Sequence, residues 1–91
     1  MAAGFSPLKL SELPYRLAAL VDSVEDSMPN DAIARRLREL GFVSGERVEV
    51  LAAGPVSAEP LLVQIGFTRF ALRRAEAERV RVSPADEGAT A

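Results

Sequence analysis

Three carboxylates, Asp22, Glu25 and Asp26, crowd one short stretch of the chain and form its best oxygen-donor cluster. Oxygen-only donor sets suit hard cations, whereas a tight, selective ferrous or zinc site draws on imidazole or thiolate. The sequence has no histidine and no cysteine. The expectation is therefore a weak divalent metal site at these carboxylates and no resident cofactor. The same two absences remove the usual general base near neutral pH and every Cys/His or Ser/His nucleophile arrangement. Carboxylate pairs such as Glu46 with Glu49, or Glu76 with Glu78, sit among arginines with nothing to mark a pocket. No glycine-rich run has the spacing of a phosphate-binding loop, so nucleotide hydrolysis is not expected either. The chain reads as a non-enzyme.

Binding chemistry remains. Arg69, Arg73, Arg74, Arg79 and Arg81 could form a basic stripe for nucleic acid. Such a stripe works with aromatic stacking platforms and an overall basic charge. Here the formal net charge is -2, and Phe42 and Phe70 fall at core positions. Ion pairs with Glu49, Glu76 and Glu78 are the simpler fate of the stripe, and a small nucleic-acid-binding regulator is the alternative reading. For a protein partner, Leu51 and Leu62 point outward from their strands, and Tyr15 and Phe67 lie at turns. Apolar anchors of this kind, with Arg47 and Arg69 as a polar rim, compose a docking surface.

These residues need a scaffold. In "RLAALVDSV", Leu17, Ala19 and Val21 alternate with Arg16, Ala18, Leu20 and Asp22, which predicts a first strand. Asn30 or Asp31 can cap a helix over about 31–41, with Ile33, Leu37 and Leu40 as its apolar stripe. Gly41 ends that helix in the left-handed conformation, and Gly45 turns the chain into a strand. That strand places Val48, Val50 and Ala52 on one face and Arg47, Glu49 and Leu51 on the other. "AGPVSAEP" reads as a longer connection, and Leu61, Val63 and Ile65 open the next strand. Gly66 with Phe67 forms a tight hairpin, glycine supplying the positive φ of a type II′ turn. Phe70 and Leu72 then face inward, a short helical turn falls near 73–77, and Val80 and Val82 lie on a closing strand.

The sum is mainly β: a small five-stranded barrel with one inserted helix and no spare edge, a single domain over 1–91. Its ordered part spans about 6–83, with flexible tails at 1–5 and 84–91. The opening "MAAGFSPLKL" lacks the basic start and long apolar run of a secretory signal, and no segment approaches the ~20 apolar residues that span a bilayer. A cytoplasmic protein, monomeric or weakly dimeric, is expected.

Three segments resemble the FeoA family, the small cytoplasmic component of bacterial ferrous iron uptake. They are "LSEL" at Leu10 to Leu13, "RRLRELGFVSGERVEVL" at Arg35 to Leu51 and "ALRRAEAERVRV" at Ala71 to Val82, in the family's order and spacing. The resemblance implies an SH3-like barrel and a regulatory role beside FeoB, the membrane transporter that carries a cytoplasmic GTP-binding domain. Where the family usually has Pro-Gly after the first short helix, this chain has Pro14-Tyr15.

Overall fold

The computed structural model describes residues 8–56 and 59–85. Both expected tails lie outside the described residues, except for Pro84 and Ala85. Those two are anchored: Pro84 pairs with Ala19, and the Ala85 N–H donates to the Ala18 carbonyl at 3.0 Å.

The elements run β1 (Leu8–Lys9), a 3-10 turn (Leu10–Glu12), β2 (Ala19–Val24), α1 (Ala32–Leu40), β3 (Arg47–Val56), β4 (Glu59–Ile65), β5 (Thr68–Leu72), α2 (Arg74–Ala77) and β6 (Val80–Pro84). The strands form one antiparallel sheet in the order β1-β6-β2-β3-β4-β5. There are thus six strands rather than five. The addition is the two-residue β1, too short to leave an alternation signature in sequence. The last strand enters between the first two, giving the long-range closure that holds the N-terminal segment in place.

Alternation builds the core. Ala19, Val21, Val48, Val50, Leu61, Val63, Ile65, Leu72, Val80 and Val82 are buried, and Leu10, Leu13, Leu37 and Phe42 pack with them. Leu17, expected in the first strand, precedes it and is exposed, because β2 begins only at Ala19.

The helix stripe is rotated by one position from the expectation. Ala34 and Leu37 are the buried residues of α1, while Ile33 is 39 % exposed and Leu40 is half-buried. A methyl group at Ala34 lets the helix lie close to the sheet, and the bulkier Ile33 and Leu40 flank that contact. Asp31 caps the helix by accepting from the N–H groups of Ile33 (3.1 Å) and Ala34 (3.3 Å). At the other end Gly41 has φ 117°. The Phe42 N–H reaches the Leu37 carbonyl at 3.1 Å and the Gly41 N–H reaches Arg38 at 3.2 Å. This pair of bonds is a Schellman motif, and it drops Phe42 into the core beside Leu37.

β3 departs from simple alternation. Its register with β4 shifts between Val50 and Ala52 and again between Ala53 and Val56. The first bulge takes up Leu51 and exchanges the faces beyond it, so Ala52 is exposed and Ala53 packs against the core. The expected long connection at 53–60 is mostly strand. Gly54 is needed there because a Cβ at that position would collide with the Glu59 carbonyl. Gly66 is positive in φ and Phe67 is not, as a type II′ hairpin requires. Arg16 also takes positive φ, at 67°, next to the Pro14-Tyr15 departure noted above.

A buried ion pair fastens α1 to the last strand. Arg79 Nε donates to Asp31 Oδ2 at 2.7 Å, with side-chain exposures of 8 % and 2 %. The same Asp31 oxygen accepts from Ser27 N (2.8 Å) and Ser27 Oγ (3.1 Å), and Arg79 Nη1 donates to the Ala75 carbonyl at 2.7 Å. The guanidinium first, and then the amide donors, hold the Asp31 carboxyl well below the usual carboxylate range. A depressed folded-state pKa contributes stability that is full above the unfolded value, ~3.9, and is lost as pH falls through the folded one. Thermal melts of the parent and of Asp31→Asn should therefore differ most near neutrality and converge as the pH falls below about 4. Asparagine can still cap the helix through one oxygen, while its NH2 replaces the charged acceptor that meets Arg79 and Ser27, so the pH dependence of the gap, rather than its size, reports the charge. A constant gap down to pH 2 would show that the charge is not what Asp31 contributes.

Candidate docking surface

The outer face of β3, β4 and β5 carries most of the residues expected to meet a partner. Leu62 on β4 stands directly opposite Ala52 on β3 and Ala71 on β5, giving a small apolar centre. Gln64 and Arg69 face each other one step along, and Arg69 Nε donates to Gln64 Oε1 at 3.1 Å. Arg47 is exposed at the start of β3. Leu51 and Leu62 are half-buried rather than fully outward, Leu51 because it occupies the bulge. Phe67 is fully exposed at the hairpin tip. Tyr15, 54 % exposed, precedes Arg16, whose N–H donates to the Val50 carbonyl at 2.7 Å. That bond sets Tyr15 on the opposite flank of β3 from Leu62. The structure thus gathers Leu62, Arg47 and Arg69 on one face, with Phe67 beyond its end and Tyr15 beyond its edge.

The acidic cluster does not converge. Asp22 accepts from Ser83 Oγ at 2.7 Å, Asp26 pairs with Arg38 Nη2 at 2.8 Å, and Glu25 lies 3.0 Å from Arg81 Nε. Among the described residues no three acidic side chains group to hold a metal ion. Asp22 lies on β2 while Glu25 and Asp26 follow its end, and each meets its own counter-charge or donor. With no imidazole or thiolate in the chain, these donors do not fit a resident transition-metal centre.

The basic stripe also breaks up. Arg79 is buried against Asp31, Arg81 pairs with Glu25, and Arg74 Nη1 donates to the Ser11 carbonyl at 3.3 Å. Of the five, Arg69 and Arg73 stay exposed, on the same face of the β5 segment with Ala71 between them.

Sequence reasoning missed a second surface. Ile33, Leu40 and Phe70, all assigned to the core, line a groove of about 340 Å³ between α1 and β5, together with Arg36, Leu37, Ala71, Leu72 and Glu76. Phe70 is held there by Phe42, the ring centroids lying 6.2 Å apart with planes tilted by 46°. The one available signal was the width of the apolar stripe on α1, which is broader than a single contact with the sheet can cover.

Among the described residues no helix is long and apolar enough to cross a membrane. Comparison with known proteins places this geometry. The FeoA domain profile matches residues 8–84. The fold is similar to Stenotrophomonas maltophilia FeoA in complex with zinc, a prokaryotic SH3 domain protein described as a candidate bacterial ferrous iron transport activating factor. That likeness has 66 % identity and a TM-score of 0.78 over 84 % of this chain and 89 % of that one. It is also similar to Chlorobium tepidum FeoA, at 38 % identity and a TM-score of 0.73 over 89 % and 75 % of the two chains. A manganese-dependent transcriptional repressor, 20 % identical with a TM-score of 0.72 over 87 % of this chain and 42 % of that one, shares the fold alone. No functionally curated protein matches. With the profile covering nearly all described residues and the SH3-like sheet common to both FeoA structures, the chain belongs to the FeoA family.

Proposed function

We propose that this protein is a cytoplasmic accessory factor of bacterial ferrous iron transport that docks on FeoB and modulates its GTPase cycle or its gating. The observation that carries this reading is the family match over residues 8–84, reinforced by 66 % identity to a FeoA described as a candidate transport activating factor. The chain acts by binding rather than by catalysis. Divalent metal is at most a weakly held visitor at surface carboxylates, and the iron is cargo of the transporter.

The outer face of β3 to β5 is the docking surface in this reading. Leu62 and Leu51 supply apolar area, Phe67 projects as an anchor, and Arg47 and Arg69 form a rim that favours an acidic partner. The test is Leu51→Ser combined with Leu62→Ser, first shown by circular dichroism to stay folded. Binding to the GTP-binding domain of FeoB should weaken by about tenfold or more, the loss expected for two interface anchors. Transporter-dependent iron uptake should fall with it. Undiminished binding and uptake in the folded variant would remove this face. A parallel titration with short duplex DNA addresses the nucleic-acid alternative: tight binding that weakens steeply with salt would favour it.

A further inference from the structure

Contrary to the expectation of no spare edge, the sheet does not close on itself, and its β5 edge has nothing hydrogen-bonded to it among the described residues. β5 pairs with β4 alone. The Gly66-Phe67 hairpin sets the phase of that pairing. A two-residue loop is flanked by a pair that exchanges both bonds, here Ile65 with Thr68, and the exchange recurs at Val63–Phe70 and Leu61–Leu72. The Gly66 N–H, turned the other way to the Arg47 carbonyl at 3.0 Å, agrees with this phase. Arg69 and Ala71 therefore aim their N–H and C=O groups away from β4. Among the described residues no backbone group takes these up. At Arg73 the edge ends, because its N–H is held by Glu76 Oε1 at 2.8 Å and its carbonyl accepts from the Glu76 and Ala77 N–H groups.

Open edges are usually blunted by proline, a bulge or a covering element. β5 has no proline and pairs in regular register. The groove described above separates it from α1, with Ile33, Leu40 and Phe70 on its apolar wall. On the other face of β5, Arg69, Ala71 and Arg73 recur at strand spacing and are exposed. Among the described residues Arg36, Arg69 and Arg73 have no carboxylate partner.

We propose that the β5 edge receives an extended peptide segment that alternates apolar and acidic residues, added to the sheet as a further strand. Four backbone bonds, two each from Arg69 and Ala71, would hold it. Its side chains alternate between two faces, so apolar ones meet Phe70, Leu40 and Ile33 while acidic ones meet Arg69 and Arg73. Arg36 stands at the groove, and the acidic Glu76 at its end is engaged with the Arg73 amide. A second copy of this chain fits less well, because pairing two β5 edges about a twofold axis brings both arginine sets together. The inference does not depend on the docking of FeoB, and the Leu51 and Leu62 substitutions leave the outward backbone groups of Arg69 and Ala71 in place, although Leu62 stands opposite Ala71.

The test titrates the isotope-labelled full chain with a seven-residue peptide of alternating valine and glutamate, following amide shifts and hydrogen exchange. Saturable binding should slow exchange at Arg69 and Ala71 by about tenfold or more. The same peptide with lysine for glutamate, or with N-methyl groups on the amides that face β5, should bind about tenfold more weakly or worse. Ala71→Pro deletes one outward N–H and so remains compatible with an edge strand; it should lose binding. Arg69→Glu, a change on the exposed strand face that meets the acidic side chains, should weaken the glutamate peptide while leaving the fold intact. No saturable shift, equal binding of the methylated peptide, or protection confined to other strands would overturn the proposal. So would sedimentation showing a dimer that Ala71→Pro abolishes, since a second copy would then occupy the edge.

Discussion

Phe42→Ala is expected to lower the unfolding free energy by about 3–5 kcal/mol, the usual cost of deleting a buried aromatic side chain. A domain of this length has of order 10 kcal/mol in total. Phe42 is 1 % exposed and lies where three elements meet. Its N–H closes the Schellman motif on Leu37, its ring packs against Phe70 on β5, and its backbone starts the turn that leads into β3. Removing the ring opens a cavity at the helix exit and releases Phe70, the apolar floor of the groove beside the open edge. Urea denaturation reads the loss directly. A change below about 1 kcal/mol would mean that neighbours collapse into the space and that Phe42 does not hold the helix exit.

Leu37→Ala should cost about 2–5 kcal/mol. Leu37 is the central apolar residue of α1 and is 2 % exposed, whereas Ile33 one turn earlier is 39 % exposed. Ile33→Ala serves as the control, and its cost should be well under half that of Leu37→Ala, since a partly exposed side chain recovers little burial. Comparable losses at both positions would restore the stripe expected from sequence and contradict the rotated one. Because Leu37 and Phe42 touch through one capping motif, their double variant should cost less than the two single losses combined. The shortfall, about 0.5–3 kcal/mol for residues in contact, measures how far the helix end acts as a unit.

Local patterns set most of the elements. The cap at Asp31, the stop at Gly41, the hairpin at Gly66 and the alternation of Val48 with Val50 each depend on a few adjacent residues. Backbone geometry converts those residues directly into a turn, a helix end or a strand face. The family, too, was legible, since three segments in order suffice for it. Absent histidine and cysteine had already removed most catalytic and metal chemistry.

What tertiary structure alone decided lies where distant residues meet. The Asp31–Arg79 pair joins positions far apart in the chain, and nothing at either residue announces the other. The bulge at Leu51 follows from the register of β3 on β4, and it moved Ala52 out and Ala53 in. Gly54 looked like loop composition until the Glu59 carbonyl was found against it. The acidic cluster and the basic stripe, both plausible as runs of like charge, dissolve because the fold turns their members to different partners: Glu25, Asp26, Arg79 and Arg81 meet opposite charges, while Asp22, Arg69 and Arg74 meet neutral groups of Ser83, Gln64 and Ser11. Ile33, Leu40 and Phe70 read as core because hydrophobicity has no sense of supply and demand. The sequence supplied more apolar side chains on α1 than the sheet could cover, and only packing determines which of them remain at the surface to meet something else.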